Sequence, residues 1–189
     1  MLQSIARALV LVALVSLAAS AQHAQTREGF SISFGIGGGS AGVSCDGCGT
    51  DRENGLSGYL RLGGYVRPTL LVAGETNGFT KNVDGVDVVA SFVSAVVQWY
   101  PQVASGFYLK GGAGIATGSL DDGVDELAAT GMGITLGTGY EWRVTRNFSL
   151  TPYVNYLRSV GAEAKFNGVG LGENLNVDVF QFGLGFTWH

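Results

Sequence analysis

From Phe180 to Trp188 the chain alternates strictly: Phe180, Phe182, Leu184, Phe186 and Trp188 are large and apolar, while Gln181, Gly183, Gly185 and Thr187 between them are small or polar. Side chains of an extended strand point to opposite faces in turn, so this stretch has one greasy face and one small face. A strand resting on a soluble core would carry charged residues on its second face. Glycine and threonine there suit a narrow barrel interior instead, and an apolar-out pattern over about 9–11 residues is what a membrane-crossing strand requires.

The same pattern recurs along the chain. The alternation predicts strands over Gly29–Gly38, Leu56–Val66, Leu70–Gly78, Asp87–Tyr100, Gly106–Ala116, Leu127–Trp142, Phe148–Leu157 and the terminal Phe180–Trp188. Between them the connections alternate in length. Gly39–Asn54, Thr80–Gly85, Thr117–Glu126 and Arg158–Gly172 are polar or glycine-rich loops, whereas Arg67-Pro68, Pro101–Ser105 and Arg143–Asn147 are turns. The expected fold is all-β, an eight-stranded antiparallel up-and-down transmembrane barrel. In such barrels long loops lie outside the cell and short turns in the periplasm, and an even strand number leaves both ends periplasmic. That orientation gathers the outward aromatics Trp99, Phe107, Tyr140, Trp142, Phe148 and Trp188 at the periplasmic membrane boundary, where amphipathic rings are favoured.

Composition narrows the picture. Charged residues make up 14% of the chain against 46% hydrophobic, with 31 glycines, whereas a soluble domain has about 25% charged. A net charge of −4 speaks against a nucleic-acid partner. Met1–Ala21 carries one basic residue, Arg7, an apolar run from Ala8 to Ala19, and the small-x-small triplet Ala19-Ser20-Ala21, which predicts a cleaved export signal. The domains expected are thus residues 1–21 as signal peptide and 22–189 as barrel.

The inner faces hold the polar chemistry. Arg61, Glu75, Gln98, Lys110, Glu141 and Tyr153 all fall on the face away from lipid. A hairpin turning near Pro68 sets Arg61 and Glu75 at equal distances from the turn, so they are expected as cross-strand neighbours. Buried charge demands such pairing. Lys110 and Glu141 do not face each other by that arithmetic, and their pairing requires the barrel's stagger.

Together, the export signal, the alternating strands, the aromatic belt and the aromatic last strand resemble the small outer-membrane β-barrel proteins related to the OmpA transmembrane domain. The resemblance covers nearly all of residues 22–189. It implies the bacterial outer membrane as location, lipid and lipopolysaccharide as surroundings, and a barrel-assembly machinery that reads the last strand, Phe180, Phe182, Leu184, Phe186 and Trp188. Members commonly end on an aromatic residue, whereas here His189 follows Trp188.

Other motifs favour structural readings. Cys45 and Cys48 form a C-x-x-C, but zinc needs two further soft ligands and only His23 and His189 are present, both expected across the membrane. A disulfide tightening the first outer loop is the expectation in an oxidising compartment. Gly111-Gly112-Ala113-Gly114 is not followed by the helix a phosphate loop needs. Asp121, Asp122, Asp125 and Glu126 form an acidic cluster whose spacing fails the EF-hand pattern, since Met132 stands where the closing glutamate belongs. They are read as a solvated rim that could bridge divalent cations to lipopolysaccharide. No histidine lies at the outer rim to serve a nucleophile, so no enzyme and no cofactor are expected. The expected function is that of a monomeric, side-chain-filled barrel with a structural or surface-interaction role. The alternative is a secreted lipocalin-like barrel holding a small apolar ligand.

Overall fold

The computed structural model describes residues 27–44, 52–83, 85–121 and 125–189. Ten strands follow one another: β1 Phe30–Ser44, β2 Arg52–Arg67, β3 Leu70–Val83, β4 Val86–Trp99, β5 Phe107–Asp121, β6 Glu126–Tyr140, β7 Trp142–Thr145, β8 Phe148–Phe166, β9 Val169–Asn174 and β10 Asn176–Trp188. Every neighbouring pair is antiparallel, and β10 hydrogen-bonds both β1 and β8, which closes the sheet on itself. β7 prolongs β6 along the edge of β8, and β9 folds back on the upper part of β8. The barrel therefore has eight staves. Among the described residues no helix is long and apolar enough to cross a membrane.

The alternation read from the sequence sets the two faces. Phe34, Leu60, Val93, Leu136 and Phe182 are exposed on the outside, while Ser33, Tyr59, Ser94, Thr135 and Gln181, each one residue away, are buried within. Outward positions carry no charge from Val89 to Trp99, from Ala128 to Trp142 or from Phe180 to Trp188. The first outward charges, Arg52, Asp87, Arg158 and Asp178, stand near the far ends of their strands. The uncharged belt thus has the height of a bilayer core, about 9–11 tilted residues.

Above the belt the strands run on. β1, β2 and β5 extend well into segments whose glycine and polar content predicts loops, and the expected loop 158–172 is largely the top of β8 and β9. Ser159, Ala162 and Ala164 continue the inward row there, with a bulge at Gly161 (φ 62°). Asn167 (φ 47°) and Gly168 (φ 82°) then make the tight turn into β9, as an Asn-Gly pair does in a two-residue hairpin. The predicted sixth strand, by contrast, is interrupted. Strand β6 ends at Tyr140 and β7 starts at Trp142, and Glu141 between them still donates its N–H to Gly106 O at 2.8 Å.

The seam between first and last strand depends on paired glycines. Gly37 faces Gly183, and a Cβ on Gly37 would sit 2.0 Å from Phe182 O, while one on Gly183 would sit 2.4 Å from Ile36 O. Neither obstacle is a movable side chain. Gly37→Val is expected to destabilise the barrel by about 1–3 kcal/mol in urea unfolding from lipid vesicles. Gly74→Val, on a face with nothing within 4 Å, should shift it by less than about 0.5 kcal/mol. Equal effects would mean that the seam does not close as described.

Candidate functional site: the charged lumen

Eight staves leave an interior narrow enough for side chains to meet across it, and two layers of charge do so. In the middle layer Glu75 is the hub. The β2–β3 register sets Arg61 opposite Glu75, with Nη1 3.6 Å from Oε2. Lys110 reaches the same carboxylate, its Nζ donating to Oε1 at 2.6 Å and Oε2 at 2.8 Å. Lys110 and Glu141 therefore do not pair, as the sequence had left open. Glu75 lies opposite Ser94, which lies opposite Gly114, and these small residues leave the lysine room to lean across two strands. Asn77 Nδ2 donates to Oε1 at 2.9 Å. The Arg61 guanidinium also lies 5.5 Å and 5.7 Å from the ring centres of Tyr59 and Tyr108, within cation–π range. Tyr153 meets Tyr59 edge-on at 4.7 Å, and the Tyr59 hydroxyl continues a chain through Ser33 and Thr187 to Thr151.

The second layer closes the mouth beside the short turns around Glu141, which is fully buried. Its Oε1 accepts from Tyr100 Oη at 2.6 Å and Gln98 Nε2 at 3.2 Å; its Oε2 lies 3.6 Å from Arg27 Nε. Arg27 precedes β1 and turns back into the mouth, donating to Val103 O at 2.9 Å and Ser105 O at 2.6 Å with its guanidinium 3.8 Å above the Tyr100 ring. Arg143 donates to Arg146 O. His189 bonds Tyr65 Oη at 3.0 Å and Ser149 Oγ at 3.1 Å through its two ring nitrogens. Burial, reinforced by Arg143, Arg27 and Arg61, pushes its pKa down to about 3, so the ring is neutral at physiological pH. Its 3.9 Å approach to Glu141 is thus a contact between a neutral ring and a carboxylate.

Sequence reasoning found the middle layer but missed much of the mouth. Arg27, Arg143 and His189 stand just outside the alternating stretches, where no periodicity assigns a face, whereas Tyr100 closes the inward row of Ser94, Val96 and Gln98 and was legible from the alternation. For the other three the signal available was their chemistry, polar side chains beside strand ends that converge on one barrel rim.

The remaining predicted positions lie apart from the lumen. Trp99, Phe107, Trp142 and Trp188 are exposed at the strand ends beside the short turns, and Tyr140 and Phe148 are half-buried among them. Phe107 pairs with Tyr140 and Phe148 with Trp188, the last two rings 5.0 Å apart. Phe180, Phe182, Leu184 and Trp188 form the exposed outer row of β10, and Phe186 is partly covered by Phe34 and Phe148. Cys45, Cys48 and Asp122, like the predicted signal peptide, lie outside the described residues. Asp121 pairs with Glu126 in the β5–β6 ladder, and Asp125 accepts from Asn167 Nδ2 at 2.8 Å. Among the described residues no three histidine, cysteine, aspartate or glutamate side chains gather as metal ligands.

Comparison with known proteins extends these findings. The family described as outer membrane protein beta-barrel domain matches residues 9–188. Solved structures share the fold, the following two among them. Neisserial surface protein A (NspA) is 20% identical with a TM-score of 0.58, over 86% of this chain and 98% of that one. Ail, the attachment invasion locus protein of Yersinia pestis, is 18% identical with a TM-score of 0.52, over 85% and 99%. No curated protein sequence matches the chain.

Proposed function

The chain belongs to the outer membrane protein beta-barrel domain family, and from that premise we propose that it is a monomeric envelope protein with a side-chain-filled lumen and a structural or surface-interaction role. Membership implies the bacterial outer membrane as its location. The soluble lipocalin-like alternative is set aside, since an uncharged outer belt backed by a charged lumen is the inverse of a soluble barrel.

The observation that carries the proposal is the stacked pair of charge layers. Lys110, Arg61 and Glu75 span the middle, and Arg27, Tyr100 and Glu141 span the mouth, all with side chains almost wholly buried. Continuous water through such a lumen would need both layers to part. Planar-bilayer recordings are therefore expected to show no steady large conductance; a stable open channel in the wild-type protein would refute the reading.

Other parts of the proposal concern regions beyond the barrel wall. Residues 1–21 are removed on export, Cys45 and Cys48 form a disulfide in the first outer loop, and the acidic loops contact lipopolysaccharide and extracellular partners. The barrel-assembly machinery engages β10 during insertion. The uncharged, aromatic outer row of β10 supports the last point, and the oxidising compartment supports the disulfide.

A further inference from the structure

Above the charged layers the lumen changes character. Asn77, Asn155 and Gln181 form the last polar tier, and over them Phe79, Phe92, Leu157 and Val179 pack into an apolar floor, each at most 2% exposed. Above that floor the inward positions of β1, β4, β6 and β10 remain apolar, and Ser159 of β8, buried beside them, has its hydroxyl taken by the Val177 N–H at 2.6 Å, whereas an outer-membrane barrel ordinarily turns polar side chains inward. The sequence reading expected a polar interior throughout; the outer third departs from it. Val88, Ala90, Leu127, Ala129, Leu175 and Val177 line a cavity of about 130 Å³.

Small residues keep this cavity open. Ala90 and Ala129 stand where a leucine would fill it, and Gly118 faces it with no side chain, so that a Cβ there would sit 3.1 Å from Val177 Cγ2. The size approaches the ~150 Å³ apolar cavity that admits benzene. Water is poorly suited to such a site, because an ordered water needs two to four polar partners. A loop segment is equally poorly suited, because its buried N–H and C=O groups would go unpaired. Among the described residues, the acidic side chain in the lining is Glu53, exposed at the lip.

We propose that the outer third of the lumen is a blind binding site for a small apolar molecule, about one aromatic ring or a chain of about six to eight carbons, neutral or cationic rather than anionic at its exposed end. The floor of Phe79 and Phe92 makes it a cup and not a conduit, and the Glu53 carboxylate opposes an anionic head group. This inference requires only the barrel, so it stands or falls independently of the envelope role and of the conductance test.

The test uses the full chain folded in phosphatidylcholine bicelles, with indole, octylamine and octanoate as probes and backbone amide shifts as readout. Saturable shifts are expected at Ala90, Gly118, Ala129 and Val177, with only linear, non-saturating shifts at the outward Val93 and Ile115. Ala129→Phe and, as a second filling variant, Gly118→Leu should weaken indole binding at least tenfold. Octylamine should bind more tightly than octanoate, and Glu53→Gln should narrow that difference. Absence of saturable shifts in the cup, or undiminished binding in a folded filled variant, overturns the site. Equal affinities for octylamine and octanoate overturn its charge preference.

Discussion

Glu75→Gln lowers the unfolding free energy of the barrel by about 3–5 kcal/mol, the largest single-residue effect expected in this protein. The reason lies in the ratio of charges. Two cations, Lys110 and Arg61, share this one carboxylate, and all three side chains are at most 2% exposed. Removing the negative charge strands both cations in a medium that solvates them poorly. The cost therefore reflects the uncompensated ions and not the loss of a favourable bond, since the intact cluster bears its own desolvation penalty. A second variant separates these terms. Changing Glu75→Gln together with Lys110→Met and Arg61→Met removes all the charges and should restore most of the lost stability. Urea titrations in lipid vesicles, followed by tryptophan fluorescence, report both. If the triple variant is as unstable as Glu75→Gln alone, then shape and not charge holds the layer together.

Leu136→Arg costs about 2–4 kcal/mol by the same assay, because it places a cation in the uncharged belt near the bilayer midplane. Leu136 is 53% exposed on the outer face of β6, between Gly111 of β5 and Tyr156 of β8. The same arginine at Val160, also outward but two positions beyond Arg158 on β8, should cost no more than about 1 kcal/mol, since charge is tolerated near the interface. Equal penalties at both sites would mean that exposure to lipid is not what distinguishes them.

The belt, the faces and the closure were legible in the sequence because a barrel wall writes itself in a period of two. Ser33 inside and Phe34 outside follow from alternation alone, and the Arg61–Glu75 juxtaposition follows from counting residues from Pro68. Partners two strands apart do not follow. Lys110 meets Glu75 only through the barrel's stagger and through the small side chains of Ser94 and Gly114, which pairwise register does not specify. Strand ends were also obscured. Glycine and serine near Gly39, Gly118 and Gly161 read as loop, yet in a closed narrow sheet they are residues that let the wall pack and bend while the ladder continues. The mouth was hidden for another reason: Arg27 and His189 act from outside the periodic stretches, where only their chemistry marks them.

The apolar cup illustrates the limit of face assignment. Ala90 and Ala129 alternate with Val89, Ser91, Ala128 and Thr130, which are also small or apolar, and Val177 stands between Asn176 and Asp178 as an outward apolar residue would, so alternation alone does not turn these positions inward. Only closure shows that these positions surround a common space.

The most direct measurement of the central claim is expression of the full chain in a bacterium with two membranes, separation of outer membrane from periplasm, and comparison of gel mobility before and after boiling. Recovery in the outer membrane with a mobility that changes on heating is the result predicted for a closed membrane barrel. Recovery as a soluble periplasmic protein with unchanged mobility would contradict it.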